Sequence, residues 1–237
     1  MSEFVSAWRI RDFAPGEGGP AGAAQGRGAG WIPADAPGDT YRALIEAGAG
    51  RTLNIMFPMV SEPWEFDAAR DLFEAQRTWL AARGRKMPAE IRYGAMLEVP
   101  ALAEVLDLLL PRLDFLSIGT NDLTQYTLAA DRGNASVSSR IDAMHPAVLR
   151  LVREVGRGAA EAGRWAGMCG GLASDPLAAP LLIGLGIPEL SATPAQVPGV
   201  KAAVARFDLT ACKALAERAC AAQSAAEVRA LAMEASA

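Results

Sequence analysis

Two carboxylates stand at the ends of apolar stretches of strand length, where they could bind a metal ion together. Glu98 lies near the end of the stretch 91–99, and Asp122 follows the stretch 114–119. Mg²⁺ commonly uses one or two protein carboxylates together with water and substrate oxygens, and Mn²⁺ accepts similar ligands. The same residues could instead stabilise the first turns of following helices, where the helix dipole favours negative charge. Spacing alone leaves both interpretations open.

The turn after the stretch 114–119 carries groups that could hold an anion. Gly119 and Asn121 flank a tight strand-to-helix turn, and backbone N–H groups at such a turn can bind phosphate or carboxylate. Arg132, further along the chain, could bring a guanidinium to the same place and bind phosphate through two hydrogen bonds. The alternative interpretation of Arg132 is a solvated surface arginine.

A thiol closes another apolar stretch. Cys169 ends RWAGMC and is followed by Gly170 and Gly171, whose lack of a Cβ lets a ligand approach closely. A thiol in that position could donate or remove a proton. The alternative is a small buried residue with no chemical role.

The single histidine and the other two cysteines are interpreted as structural. His145 precedes Pro146 at a predicted helix start, which is typical of a capping or turn position rather than of a nucleophile on a mobile element. Cys212 and Cys220 lie in a helical segment and are expected to be packing residues or surface thiols. Three cysteines without close pairing indicate reduced thiols and favour a cytoplasmic protein.

A repeating strand and helix pattern must position these residues. Strands are predicted at 53–60, 91–99, 114–119, 164–170 and 189–193. Helices are predicted at 62–84, 101–113, 146–163 and within 173–186, with a helical tail from about residue 197. In the helix 62–84, Trp64, Ala68, Leu72 and Leu80 share one side and are expected to pack.

The spacing of these elements predicts parallel βα units, because strands and helices alternate and the strands are almost continuously apolar. In such folds functional groups collect at the C-terminal ends of the strands. Four successive strands bring polar residues there, with Ser191 and Thr193 ending the last one. The pattern fits an open doubly wound sheet or part of a (β/α)8 barrel, and it cannot choose between them.

Composition divides the chain and limits its partners. Residues 1–39 are rich in Gly and Ala without a helical or strand period and are interpreted as a disordered tail, whereas 40–237 form the predicted domain. A net charge of -4 argues against a nucleic-acid partner. No apolar run approaches the roughly 20 residues that span a bilayer, and no signal peptide is recognisable, so no membrane partner is expected.

Five segments together carry a family resemblance. They are IMFPM (55–59), GAMLEVPA (94–101), GTNDLTQYTLAADRGN (119–134), HPAVLRLV (145–152) and GMCGGLASDPLAAPLLIGLG (167–186). From about Tyr41 onward the chain resembles Enzyme I of the bacterial sugar phosphotransferase system, the phosphoenolpyruvate–protein phosphotransferases. Fused multiphosphoryl transfer proteins are similar in this region. The core SxGTNDL with a downstream arginine also occurs in pyruvate phosphate dikinase and phosphoenolpyruvate synthase.

The resemblance implies a fold and a set of roles. It implies the last five βα units of a (β/α)8 TIM barrel with a C-terminal helical tail, in a transferase that moves the phosphoryl group of phosphoenolpyruvate and leaves pyruvate. Glu98 and Asp122 correspond to Mg²⁺ ligands, Asn121, Asp122 and Arg132 to substrate-binding residues, and Cys169 to the acid that protonates the enolate carbon. A phosphocarrier protein is the implied partner, and a homodimer is expected.

The chain also departs from the family pattern. No segment resembles the family's phosphoacceptor-histidine domain or the first three barrel strands with their arginines, and Gly171 stands where many relatives have Glu. We therefore expect a truncated protein that is incomplete alone. One alternative is a non-catalytic remnant that dimerises or binds at most. Another is a free-standing lyase-type barrel that uses the same carboxylates on a keto acid, which would require eight strands.

Overall fold

A computed structural model describes residues 8–11, 31–34, 45 and 48–236. The strands in these residues are β1 (Trp8–Arg11), β2 (Trp31–Ala34), β3 (Thr52–Phe57), β4 (Glu90–Leu97), β5 (Phe115–Gly119), β6 (Trp165–Cys169) and β7 (Glu189–Leu190). The helices are α1 (Pro63–Ala81), α2 (Pro100–Glu104), α3 (Leu106–Leu109), α4 (Thr120–Thr127), α5 (Pro146–Glu161), α6 (Ala179–Gly184), α7 (Val197–Val204), α8 (Leu209–Ala221) and α9 (Ala225–Ser236). Short 3-10 turns occupy Leu110–Arg112, Ser138–Arg140 and Leu172–Ser174.

The chain divides into two units, and the smaller one draws on Met1–Ile55 and Phe66–Tyr93. Within it β1 and β2 form an antiparallel pair in which Trp8 is opposite Ala34. These two strands fall inside the segment 1–39 that was interpreted as a disordered tail. The rest of that segment lies outside the described residues, so its disorder stays a prediction.

Helix α1 buries a different side from the one expected. Phe66, Phe73 and Leu80 are fully buried, whereas Trp64 and Leu72 are among the most exposed apolar side chains of the described chain. The prediction was therefore right for Leu80 and wrong for Trp64, Ala68 and Leu72, which are exposed. The reason is that α1 carries two apolar stripes, and periodicity cannot tell which one packs. The ring of Phe73 meets Tyr93 edge to face, with centroids 5.8 Å apart.

The larger unit, Met56–Glu65 with Gly94–Ala237, contains the part of the sheet that positions the site. The sheet order is β3-β4-β5-β6-β7, and β4, β5, β6 and β7 pair in parallel. All five predicted strands are present, and helices follow them as expected. Consecutive parallel strands joined by helices are the arrangement of a (β/α)8 barrel, which confirms the predicted fold of five βα units.

The C-terminal helices pack closely on the rest of this unit. A Cβ on Gly184 of α6 would lie only 2.0 Å from the carbonyl oxygen of Cys212 in α8, so the two backbones can approach this closely only because residue 184 is glycine. Cys212 and Cys220 are buried, as expected for packing residues. The predicted helical tail is thus confirmed. Its helix α8 packs on α6 through close backbone contact at Gly184 and through buried side chains such as Cys212.

Side chains of the sheet, of α4 and of α5 contribute to the core of this unit. Ile118, Leu123, Val148, Val152 and Met168 are fully buried there. Each such side chain stabilises the fold by about 1.5–3 kcal/mol relative to an exposed position. None of the described helices is long and apolar enough to cross a membrane.

Candidate functional site

Strand register places the predicted site residues at one edge of the sheet. Leu97 of β4 is opposite Ile118 of β5, and Gly119 of β5 is opposite Cys169 of β6. Glu98 therefore follows β4 at the level of Gly119. Since these strands are parallel, the residues after each strand lie at the same edge of the sheet. This edge, formed by the C-terminal ends of β4, β5 and β6, is the rim.

Glu98 is a buried carboxylate, with only 4% of its surface exposed. Its Oε1 accepts a hydrogen bond from the Met59 N–H at 2.8 Å, and Met59 adopts a left-handed backbone conformation with φ of 56°. A Cβ on Gly119 would lie 2.7 Å from Glu98 Oε2, so the glycine leaves room for this carboxylate. The loop after β3 and the glycine of β5 thus fix Glu98 at the rim.

The pKa of Glu98 is raised above its ordinary value. Burial is the main cause, and the charge of Asp122 and a hydrogen bond with Asp122 act in the same direction. The Met59 N–H and the charge of Arg132 oppose the shift. Two carboxylates are therefore held side by side, and positive charge beside them would stabilise their ionised forms.

Arg132 lies at the same rim and pairs with Asp122. One guanidinium nitrogen, Nη2, is 3.1 Å from Asp122 Oδ1, and about half of the Arg132 side chain is exposed. The Arg132 backbone N–H donates to Gln125 Oε1 of α4 at 3.2 Å. Arg132 is therefore anchored at its backbone, while its side chain makes a single exposed ion pair.

Cys169 ends β6 with its thiol near the two carboxylates. Burial raises the pKa of Cys169, and the negative charges of Glu98 and Asp122 add to this, while a hydrogen bond from Ser117 acts in the opposite direction. A raised pKa keeps the sulfur protonated at neutral pH, because an unperturbed cysteine already titrates near 8.5. The arrangement holds a proton donor beside an acidic pair.

The turns after β5 and β6 are joined by hydrogen bonds. Thr120 Oγ1 donates to the Cys169 carbonyl at 2.9 Å, and the Gly171 N–H donates to Asn121 Oδ1 at 3.0 Å. Gly170 has φ of +94°, and a Cβ there would lie 2.3 Å from Thr120 Oγ1. Residue 170 must therefore be glycine because a side chain would collide with Thr120. The sequence had suggested a different reason, the close approach of a ligand.

A cavity of about 230 Å³ opens beside these turns. Its polar lining includes Asn121, Arg132, Asp175 and Arg229. Arg229 comes from helix α9, far along the sequence. The cavity places the predicted anion-binding groups around a common space.

The structure brings together Glu98, Asp122 and Cys169, as their positions at the ends of successive strands predicted. Arg132, which follows α4, joins them through its ion pair with Asp122. Their functional roles stay predictions. His145 caps α5, and its Nδ1 accepts a hydrogen bond from the Ala147 N–H at 3.2 Å, as the capping interpretation expected.

Ser191 and Thr193, which were also predicted to lie at the rim, follow β7 and donate hydrogen bonds through their backbone N–H groups. The Ser191 N–H donates to the Met168 carbonyl at 2.8 Å, and the Thr193 N–H donates to Ser174 Oγ at 3.1 Å. No recorded contact connects their side chains to Glu98 or Asp122. Only their backbone positions at the rim accord with the prediction.

Sequence reasoning missed several residues that support the site. Met59 lies within the segment 55–59 that carried part of the resemblance, and Ser117 is the only polar residue of β5, so both had a signal. Gln125 had the same kind of signal, since it lies within the segment 119–134. Arg229 had none, because it resembles a solvated helix residue.

The donor set at the rim suits a hard divalent cation completed by substrate. Among the described residues no group of three His, Cys, Asp or Glu side chains could hold a metal ion alone. Mg²⁺ does not need such a group, because one or two carboxylates with substrate oxygens and water suffice. The carboxylates of Glu98 and Asp122 form such a pair. Burial and the neighbouring Asp122 raise the pKa of Glu98, and a bound cation would offset both effects.

Fold and site together define a class: a βα-barrel protein whose strand ends carry a carboxylate pair, an arginine and a thiol. Residues 34–209 match the family described as PEP-utilising enzyme, PEP-binding domain. The chain belongs to this family of phosphoenolpyruvate-utilising enzymes and contains its phosphoenolpyruvate-binding domain.

Similar proteins support this assignment. The chain is 47% identical over 191 residues to a multiphosphoryl transfer protein of Xanthomonas campestris, covering 80% of this chain and 22% of that protein. It is 42% identical over 178 residues to a phosphoenolpyruvate-protein phosphotransferase of Enterococcus faecalis, covering 75% and 31% respectively. The chain thus spans between about a fifth and a third of these relatives.

A solved structure supports the fold. A citrate lyase from Burkholderia xenovorans superposes with a TM-score of 0.52 at 21% identity, covering 81% of this chain and 65% of that one. At this identity the likeness concerns the fold only.

Proposed function

We propose that this chain is the phosphoenolpyruvate-binding portion of a phosphoenolpyruvate–protein phosphotransferase of the sugar phosphotransferase system. The observation that carries the proposal is the convergence of Glu98, Asp122, Arg132 and Cys169 at the ends of neighbouring strands. Family membership supplies the substrate class. The names of the relatives supply the reaction class, and the system to which it belongs is the one implied by the resemblance.

The carboxylates of Glu98 and Asp122 would hold Mg²⁺ together with oxygens of the substrate. Bound there, the cation would neutralise charge that develops on the substrate as the phosphoryl group leaves. Burial of Glu98 fixes one ligand, because its other oxygen already accepts the Met59 hydrogen bond. Asp122 would be released from Arg132 when the guanidinium turns to the substrate.

Arg132 and Asn121 would bind the substrate anion. The side chain of Arg132 is half exposed and makes one ion pair with the described residues, so phosphate or carboxylate oxygens can compete for it. Asn121 uses its side-chain oxygen for the Gly171 N–H, which leaves its amide N–H groups to donate to substrate. Both residues line the same cavity.

Cys169 would complete the reaction by proton transfer. After the phosphorus–oxygen bond of phosphoenolpyruvate breaks, the enolate carries the electron pair, and its methylene carbon takes the thiol proton to give pyruvate. The resulting thiolate regains a proton from solvent. The raised pKa of Cys169 supports a protonated thiol as the resting form.

The phosphoryl acceptor is proposed to be a histidine other than His145, which is the single histidine of these 237 residues. His145 is a poor acceptor, since its Nδ1 caps helix α5. A phosphocarrier protein as the next partner, a homodimer and a cytoplasmic location complete the proposal.

Titration of the chain with phosphoenolpyruvate by calorimetry, with and without MgCl2, tests the proposal. We expect binding that requires Mg²⁺ and that weakens at least about tenfold in Glu98→Ala and Arg132→Ala, as for loss of a charge-assisted contact. Arg157→Ala is the matched control, because Arg157 pairs with the exposed carboxylates of Glu154 and Glu161 on its own helix. It should bind like the unaltered chain.

Two outcomes would overturn this proposal. Absence of binding in the unaltered chain would favour the alternative of a non-catalytic remnant. Stable phosphate on His145 after incubation with labelled phosphoenolpyruvate would show a different acceptor from the one proposed.

A further inference from the structure

The segment 131–145 contains Arg132 near its start, and its first six residues have little packing of their own. Residues 131–136 are exposed, and their hydrogen bonds are local turns such as Gly133 N–H to Asp131 Oδ1 at 2.7 Å. At its start the segment is tied to α4 by the Arg132 N–H to Gln125 Oε1 contact. A segment with so few buried contacts needs a restraint at its other end to hold one conformation.

Arg229 of helix α9 provides that restraint. Its Nε donates to Asp142 Oδ2 at 2.7 Å and its Nη2 donates to Asp142 Oδ1 at 2.9 Å, a bidentate pair. Asp142 is itself part of the turn, because its Oδ1 also accepts from the Met144 N–H at 2.9 Å. Met144 is fully buried, so the turn is fixed to the core.

The same guanidinium reaches the loop after β6. Arg229 Nη1 lies 3.6 Å from Asp175 Oδ2, and Asp175 Oδ1 accepts from the Leu177 N–H at 2.9 Å. Asp175 lies on the loop that follows Cys169, the last residue of β6. One arginine from the C-terminal helix therefore contacts both the segment 131–145, which follows α4, and the loop that follows β6.

Both loops and Arg229 line the 230 Å³ cavity together with Asn121 and Arg132. Simple attachment of α9 would not require contacts to two site loops, since Val228 and Ala232 of α9 are already buried. By contrast, Arg218 pairs with Glu234 at 3.1 Å within the tail alone. The placement of Arg229 links the tail to the geometry of the rim.

We infer that Arg229 is a positioning residue. Through Asp142 it holds the segment 131–145 and through Asp175 it holds the loop after β6, so that Arg132 and Asn121 are presented to the substrate. This inference rests on the proposed function for its substrate, phosphoenolpyruvate. The contacts of Arg229 with Asp142 and Asp175 form a clamp between the two segments. This clamp is present in the chain without substrate.

Hydrogen exchange of the chain without substrate tests the clamp. Arg229→Gln is expected to raise exchange of amides in 133–145 and 170–178 by about fivefold or more, the size of a typical coupling between sites. Arg218→Gln, which breaks an ion pair within the tail, is the matched control and should leave both segments unchanged. Equal exchange in the two variants would overturn the inference.

Variants that cut one branch at a time keep the test decisive if Arg229→Gln folds poorly. Asp142→Asn should release 133–145 alone, and Asp175→Asn should release 170–178 alone. Release of both segments in either variant would indicate general loosening and would contradict the clamp.

Phosphoenolpyruvate binding with MgCl2 tests the positioning role. Arg229→Gln should weaken affinity about fivefold or more, Arg229→Lys should restore part of it by returning the charge, and Arg218→Gln should not change it. An affinity in Arg229→Gln equal to that of the control would overturn positioning. If the unaltered chain does not bind, the proposed function fails, while the exchange comparison still decides the clamp.

Discussion

Two arginine–aspartate pairs lie at opposite ends of the segment 131–145, and they differ in geometry. Arg132 makes one contact of 3.1 Å with Asp122, and its side chain is 51% exposed. Arg229 makes two hydrogen bonds of 2.7 and 2.9 Å with Asp142 and is less exposed, at 40%. The first pair lies at the strand ends, and the second joins the loop to the C-terminal helix.

This difference separates a pair suited to binding from a pair suited to support. A single exposed ion pair contributes little to stability, with typical values of about 0–1 kcal/mol, so a substrate anion can replace the carboxylate. A bidentate pair fixes the relative orientation of both groups. The pair at the start of the segment is therefore suited to binding a substrate anion, and the pair near its end is suited to holding the segment in place.

Loss of the Arg132 side chain should have the largest effect on binding. In Arg132→Gln we expect the affinity for phosphoenolpyruvate with Mg²⁺ to fall about 100-fold, equivalent to about 2.7 kcal/mol, because a charge-assisted contact is lost. The free energy of unfolding should change by less than about 1 kcal/mol, since the pair with Asp122 is exposed. Calorimetric titration and urea unfolding measure the two quantities.

A variant that lost stability and kept its affinity would reverse the assignment of Arg132. Gln125→Ala tests the backbone anchor separately, because it removes only the acceptor of the Arg132 N–H. A smaller loss of affinity than in Arg132→Gln is expected there.

Gly184→Ala should break the attachment of the tail that carries Arg229. The new Cβ would overlap the Cys212 carbonyl, which belongs to the backbone and cannot turn away. We expect the free energy of unfolding to fall by about 2 kcal/mol, as for overpacking in a well-packed core. Gly158→Ala is the control, because its nearest neighbour is a flexible leucine methyl at 3.2 Å. Equal losses in urea unfolding would contradict the proposed reason.

The fold could be predicted from the sequence because its strands are continuous apolar runs. The run 114–119 contains β5 (Phe115–Gly119), and the run 164–170 contains β6 (Trp165–Cys169). Helix α1 was harder, since Phe66 and Trp64 lie on different apolar stripes and only packing decides which is buried.

Part of the site could be predicted for the same reason. Glu98 follows β4 directly, Asp122 lies in the first turn of the helix after β5, and Cys169 ends β6. Parallel pairing of these strands brings the three residues together. The Arg229–Asp142 pair could not be predicted, because 87 residues separate its members and an arginine on an amphipathic helix resembles a solvated one. Contacts that depend on how a tail folds back leave no local signal.

The charge of Asp142 gives the smallest effect and the sharpest test of the supporting pair. Burial acts to raise the pKa of Asp142, but hydrogen bonds from Arg229 and the Met144 N–H, with the charges of Arg229 and His145, outweigh it and lower the pKa. A lowered pKa contributes stability above the ordinary value of about 3.9, and that contribution is lost as the pH falls through the folded value. Asp142→Asn keeps the acceptor for Met144 and removes the charge.

We expect Asp142→Asn to lower the free energy of unfolding by about 1 kcal/mol at pH 7, as for a hydrogen-bonded ion pair that is partly buried. The difference from the unaltered chain should shrink as the pH falls below about 4, because Asp142 of the unfolded chain then takes up a proton before Asp142 of the folded chain does. It should vanish once the pH has fallen below the lowered pKa of the folded chain. Urea unfolding at pH 7, 5 and 3 measures it, with Glu234→Gln as the control for an exposed pair of the same tail. A difference that persisted at low pH would mean that the shape of the contact, and not the charge of Asp142, stabilises this end of the loop.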